Sequence, residues 1–243
     1  MSIKVSPGKV IAEKFIERLK AHRSPEELQK IQRYFKAENS PGDEFMGVRM
    51  GQVFALAKEF MAMPNAEIEK LLESPIHEIR AGACSIMDKQ ARSKKTSADQ
   101  RQALYELYLR RHDRINNWDL VDLAAPFVVG GYLFDQPRKI LYKLARSKNV
   151  WERRTAIVST AYFIRLGDLD DTFAIAELLL NDEHDLIHKA VGGWVREAGK
   201  QDRPRLLALL DKHAATMPRT MLRYMIEHLD EKPRAHYLKL KSK

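Results

Sequence analysis

One short frame returns along this chain, a basic residue followed by small and apolar residues at helical spacing, and it limits the fold more than composition does. "IHEIRAGACSIM", "VWERRTAIVST" and "DLIHKAVGGWV" superpose so that Arg80, Arg154 and Lys189 fall in register. "WDLVDLAAP" fits the same frame with Asp122 where the others carry a base. Successive register positions lie 42, 32 and 35 residues apart, within the roughly 33 to 47 residues of two-helix solenoid repeats. Stacked units of that kind line one concave surface with their second helices, which predicts Arg80, Asp122, Arg154 and Lys189 in one row. Nothing interrupts the pattern, so residues 1–243 read as a single domain.

Helix-start signals agree. Ser24-Pro25-Glu26-Glu27 sets a cap, a first-turn proline and a glutamate at the capping-box position before "LQKIQRYFKA". Similar starts stand at Asn65 before "AEIEKLLES", at Ser97 before "ADQRQALYELYLRR" and at Asp168 before "LDDTFAIAELLLN". Alternating β-branched runs bounded by turns are not evident, so the expected class is all-α, an α-solenoid with a basic concave face.

Charge narrows the partner. Forty-two Lys and Arg against 33 Asp and Glu give a formal net charge of +9 in a chain that is 44% hydrophobic and 31% charged, which favours nucleic acid first and an anionic membrane surface second. Bases cluster at repeat boundaries: Lys89, Arg92, Lys94 and Lys95 in the expected loop "KQARSKKTS", and Lys148, Arg153 and Arg154 at the helix start "SKNVWERR". A charge run is usually a solvated face; its recurrence on a basic chain, beside helix amides that favour phosphate, makes these residues candidate DNA-backbone contacts.

Other chemistries are poorly supported. The glycine-rich phosphate loops, the GxSxG nucleophile elbow and CxxC are missing. Cys84 is the lone cysteine and reads as buried filler in a reducing compartment. His184 and His188 stand four apart but lack the glutamate of HExxH, so capping or solvent-facing roles are expected rather than metal ligation. The longest apolar run, "LAAPFVVGGYLF", is broken by Pro126, Gly130 and Gly131, too short to span a bilayer. The expectation is a cytoplasmic protein without cofactor, metal or membrane.

The segment "NNWDLVDLAAP" is the unusual one. At about 100° per residue, Leu120, Leu123, Ala124 and Phe127 share a core face while Trp118 and Asp122 share the opposite one. Pro126 has no N–H to return to the Asp122 carbonyl and is expected to kink the helix there. An aromatic face beside a carboxylate suits a cation. A purine alkylated at N3 or N7 is cationic and a good leaving group, and it belongs to a polyanion. For Trp151 and Trp194, core packing is the commoner fate.

On these residues the chain resembles the AlkD-like DNA alkylation repair glycosylases, built from HEAT-like repeats. The resemblance runs from "RYFK" with Tyr34, through "FMGVRM" with Arg49, "NNWDLVD" with Trp118 and Asp122, and "SKNVWERRTAI" with Arg154, to "HKAVGGWVREAGK" with Trp194. It implies an active site of Trp118, Asp122 and Arg154, with Tyr34 and Trp194 among the DNA contacts and double-stranded DNA carrying alkylated bases as partner, bound by a monomer. One position departs: the family pattern sets tryptophan directly after the glycine, whereas this chain has Gly192-Gly193-Trp194, turning the indole about 100° around the helix.

The resulting expectation is hydrolysis of an N-glycosidic bond. Asp122 would stabilise the oxocarbenium-like sugar and orient water, Trp118 would contact the deoxyribose or lesion, and Arg154 would hold a phosphate. A non-catalytic DNA-structure binder and a protein-binding HEAT scaffold are the alternatives.

Overall fold

The computed structural model describes residues 10–35 and 42–240, without the side chains of residues 32–34. The described residues are helical, apart from turns and an isolated parallel bridge between Glu44 and Ile76. Two compact units divide the chain, Met1–Tyr132 and Leu133–Lys243.

In the first unit the helices are α1 (Ala12–Lys20), α2 (Pro25–Tyr34), α3 (Met50–Glu59), α4 (Asn65–Leu72), α5 (His77–Arg92), α6 (Ala98–Arg110) and α7 (Trp118–Ala124). One layer runs α1, α4, α6; the other runs α3, α5, α7; and α5 packs on members of both. That central place explains why α5 is buried nearly end to end. Small residues permit it: a Cβ on Gly82 would lie 2.4 Å from the Phe15 ring, so the Phe15 side chain of α1 reaches the α5 backbone there.

The second unit holds α9 (Lys139–Leu144), α10 (Val150–Arg165), α11 (Asp170–Leu179), α12 (Asp185–Gly199), α13 (Arg203–His213), α14 (Arg219–Met225) and α15 (Glu231–Lys239), with the short α8 (Gly131–Leu133) at its border. The helices α10, α12 and α14 pack in series, with α11 touching α10 and α12, and α13 touching α12. A polar node ties α9 to α11: Arg138 reaches Asp168 and Asp171 at 2.6 Å each and lies 4.0 Å from the Phe163 ring centroid. Burial and the neighbouring Asp171 push the Tyr142 hydroxyl up to about 12, keeping it the donor in its 2.6 Å bond to Asp171.

The caps read from sequence are partly realised. Ser24 and Ser97 accept from the amides of Glu27 and Gln100. Glu27 does not complete a capping box, because the Ser24 amide is spent on the Gly47 carbonyl at 3.0 Å; its carboxylate holds Lys30 and Arg49 instead. Pro64 precedes α4, which leaves Asn65 inside the helix, and Leu169 precedes α11 because Asp168 is engaged by Arg138.

The paired glycines of α12 have opposite surroundings. A Cβ on Gly192 would stand 2.5 Å from the Tyr224 Cβ and 2.7 Å from the Met221 carbonyl oxygen, whereas one on Gly193 meets open space. Gly192→Ala is therefore expected to lower stability by about 1–3 kcal/mol through overpacking, and Gly193→Ala to leave it unchanged or raise it by up to about 1 kcal/mol through helix propensity. Thermal melts of both variants check this; equal effects would mean that α12 and α14 are not in such close contact.

Candidate nucleic-acid interface and active site

The site begins with a strap. Residues 43–48 lie across the N-terminus of α5, where His77 N–H donates to the Glu44 carbonyl at 2.8 Å and Glu44 N–H to the Pro75 carbonyl at 3.1 Å. The buried Glu78 carboxylate accepts the amides of Met46, Gly47 and Val48 at 2.9–3.3 Å. Gly47 is required there, since its φ is 76° and a Cβ would lie 2.3 Å from the Ser24 carbonyl oxygen.

The strap carries Asp43 into a buried cluster. One Asp43 oxygen takes the Arg80 guanidinium at 2.5 Å, and the other faces His77 Nδ1 at 3.2 Å. On the opposite side of the ring, His77 Nε2 meets Asp119 Oδ2 at 2.7 Å. Arg80 also donates to the Ser74 and Pro75 carbonyls, and the Asn117 amide reaches Asp43 at 3.4 Å. Phe35 and Phe45 cover the imidazole, their centroids 4.7 and 5.1 Å from it, and the Trp118 ring stacks on Phe35 at 6.0 Å and 18°.

Electrostatics follow from this packing. Burial by itself would lower the His77 pKa, but hydrogen bonds to Asp119 and Asp43 and the Asp119 charge outweigh burial and Arg80, raising it to about 9. Burial works against the Asp43 charge as well, and the His77 bond and the Arg80 charge hold its pKa below the usual carboxylate value.

Helix α7 rises from this cluster. Asn117 caps it, accepting the Trp118 amide at 2.8 Å, and Asp119 accepts the Leu120 amide at 2.9 Å. Leu120, Val121 and Ala124 are buried, Trp118 is half-buried and Asp122 is exposed. After Ala124 the helix widens to π geometry over Ala125–Gly130, and the Gly131 amide bonds five residues back to the Pro126 carbonyl. The kink expected at Pro126 takes that form, with the break directly after the turn that carries Asp122.

The basic residues separate into exposed and engaged. Lys94 and Lys95 are exposed in the turn after α5, and Lys148 is exposed before α10. Arg49 is exposed while paired to Glu27 at 2.9 Å. Lys89 and Arg92 belong to α5 rather than to the loop, and Arg92 lies 3.6 Å from the Phe127 ring centroid. Lys189 is half-exposed and pairs with Asp185 at 2.6 Å; Trp194 is half-buried.

Three of the candidate arginines are held inside the fold. Arg80 is 1% exposed and bound within the Asp43 cluster, so it is a structural cation and not part of a surface row. Arg153 is clamped by Asp182 at 2.5 Å and by the Ser147 and Lys148 carbonyls. Arg154 is buried at 6% exposure, with Nη1 on the Leu186 carbonyl at 2.6 Å, which ties α10 to the first turn of α12. The Tyr34 side chain lies outside the described residues. His184 caps α12 through the Leu186 amide and His188 holds the Asp182 carbonyl, while Trp151 is buried.

The family profile described as DNA alkylation repair enzyme matches residues 15–229, and the chain belongs to that family. A solved structure described as a predicted DNA alkylation repair enzyme from Enterococcus faecalis shares the fold, with a TM-score of 0.69 over 86% of this chain and 98% of that one at 18% sequence identity. No curated protein matches the chain in sequence.

His77 gives the unit a definite pH dependence. A folded pKa raised from 6.5 to about 9 contributes stability that is complete below pH 6.5 and lost as pH rises through 9. The expected loss between those values is on the order of 3 kcal/mol. Chemical denaturation at pH 6, 8 and 9.5 checks it against His77→Gln, whose stability should vary much less; identical slopes would remove the histidine as their source.

Proposed function

We propose that the protein is a DNA glycosylase that hydrolyses the N-glycosidic bond of purines carrying a positive charge from alkylation at N3 or N7. The observation that supports this most directly is the exposed Asp122 one helical turn from the half-buried Trp118, in a chain of the DNA alkylation repair enzyme family.

The chemistry needs little more. Breaking the bond between sugar and base builds an oxocarbenium-like sugar, which a nearby carboxylate stabilises. Glycosidases acting on neutral leaving groups need a second acid to protonate them. A cationic purine departs as a neutral base without that proton, so one carboxylate suffices. Asp122 is assigned to face the sugar and orient the attacking water, and Trp118 to contact deoxyribose or lesion with a ring face that favours positive charge.

Grip on the duplex is assigned to exposed cations. Lys94, Lys95 and Lys148 take the phosphate role, with Arg49, Lys189 and Trp194 as further contacts, and Arg154 supports the helix start where Lys148 stands. The two-helix layers are read as HEAT-like repeats that meet DNA, in a monomeric, cytoplasmic protein that needs no cofactor. Among the described residues no helix is long and apolar enough to cross a membrane.

The second reading, a non-catalytic binder of DNA structure, draws on Gly193, where the surface is open and no large side chain stands. Asp122→Asn decides between them. Glycosylase action predicts a fall in release of N3-methyladenine or N7-methylguanine of about 100-fold or more with DNA affinity preserved; equal release by parent and variant would remove Asp122 from the mechanism. Replacing Lys94 and Lys95 together by alanine should flatten the dependence of log K on log salt by about two units, and an unchanged slope would mean that neither lysine meets a phosphate.

A further inference from the structure

The sandwich of His77 between two carboxylates is the strongest feature outside the proposed reacting pair. Asp43 and Asp119 are acceptors when ionised, and they face the two ring nitrogens at 3.2 and 2.7 Å. Both nitrogens must carry a proton to satisfy both contacts, so the geometry itself calls for an imidazolium.

A cation is costly at this place. His77 is the first residue of α5, at the positive end of its helix dipole, it is 1% exposed, and Arg80 is buried one turn away. The groups facing it from each packed element are Asp43 from the strap, Asp119 from α7, Arg80 from its own helix and the apolar rings of Phe35 and Phe45. Cys84, further along α5, is neutral, since burial pushes its thiol far up. If His77 lost a proton, one carboxylate would face a bare ring nitrogen, and Asp119, the partially exposed one, is freer to withdraw than Asp43, which Arg80 and Asn117 also hold.

Asp119 lies between the two residues of the proposed site. It follows Trp118 directly, it receives the Leu120 amide in the first turn of α7, and Asp122 stands three residues on. Trp118 rests on Phe35, which rests on the His77 ring. Side chain and aromatic stack thus tie the start of α7 to α5 through a single imidazole.

We propose that His77 is a positioning residue that, as an imidazolium bridging Asp43 and Asp119, fixes the first turn of α7 and thereby sets Trp118 and Asp122 for base release. This rests on the assignment of Asp122 above for its kinetic consequence, but the tether has a readout of its own. Deprotonation releases Asp119 and loosens Trp118 from Phe35, while the surface lysines that would bind DNA are untouched.

The test uses the full chain and two variants, His77→Gln and Asp119→Asn, with folding checked by circular dichroism. The first readout is the Trp118 indole N–H resonance, assigned by its disappearance in Trp118→Phe. In the parent it should hold its position from pH 6 to 8 and move with a midpoint near 9; in both variants it should be displaced at pH 7 and no longer titrate there. The second is single-turnover release of N3-methyladenine from duplex DNA, expected to fall on the order of 10–100-fold in each variant with affinity for undamaged duplex within about twofold. In the parent that rate should decline above pH 9, a limb that the variants lack.

An unmoved indole resonance with unchanged release would overturn the proposal, as would a parent resonance without a titration near pH 9. If the parent releases no base at any pH but the resonance behaves as described, the glycosylase reading fails and the tether stands. If His77→Gln does not fold, Asp119→Asn and the parent titration carry the decision.

Discussion

A buried imidazolium held between two carboxylates governs the arrangement of the first unit. It joins a strap, the central helix α5 and the short helix α7, elements up to 76 residues apart in sequence between Asp43 and Asp119. Removing each ion from water costs several kcal/mol, and the attraction of the two carboxylates outweighs that cost only while the imidazole stays protonated. The cluster also sets geometry. Two point contacts on opposite sides of one rigid ring allow α7 little freedom at its start, and the π turn at Pro126 ends the same helix after seven residues.

What emerges from that short helix is one exposed carboxylate beside a half-buried indole. Proposed glycosidic cleavage suits so sparse a site, because the alkylated base already carries the positive charge that an acid catalyst would otherwise supply. The division of the arginines agrees. Arg80 and Arg153 form rigid multi-donor contacts inside their units, the use for which a planar guanidinium is suited, and Arg154 donates to the Leu186 carbonyl, while lysines at Lys94, Lys95 and Lys148 remain in solvent. The proposed backbone grip by lysine is diffuse and carries little sequence information, as a repair enzyme acting anywhere in a genome would need.

The sequence announced the helices and the outward direction of Asp122, because each depends on residues within one or two turns. Pro126 marked the break after α7 for the same reason. It did not announce the fate of the repeated basic position. Arg80 and Arg154 occupy equivalent places in the frame, and whether such a side chain points outward depends on Asp43 and on the Leu186 carbonyl, 37 and 32 residues away. His77 was missed on similar grounds: a histidine at a helix start has no periodic signature, and its two partners come from a strap and another helix. The acid at Asp119, beside Trp118 in a first turn, was the available hint, but a first-turn acid is ordinarily explained by the helix dipole alone.

Identity of the product tests the account most directly. Duplex DNA containing N7-methylguanine or N3-methyladenine, incubated with the protein without added cofactor, should yield the free methylated base and an alkali-labile abasic site in equal amounts. Recovery of an unmethylated base still joined to its sugar, or an intact methylated duplex bound but unchanged, would contradict hydrolysis of the glycosidic bond and with it the role given to Asp122.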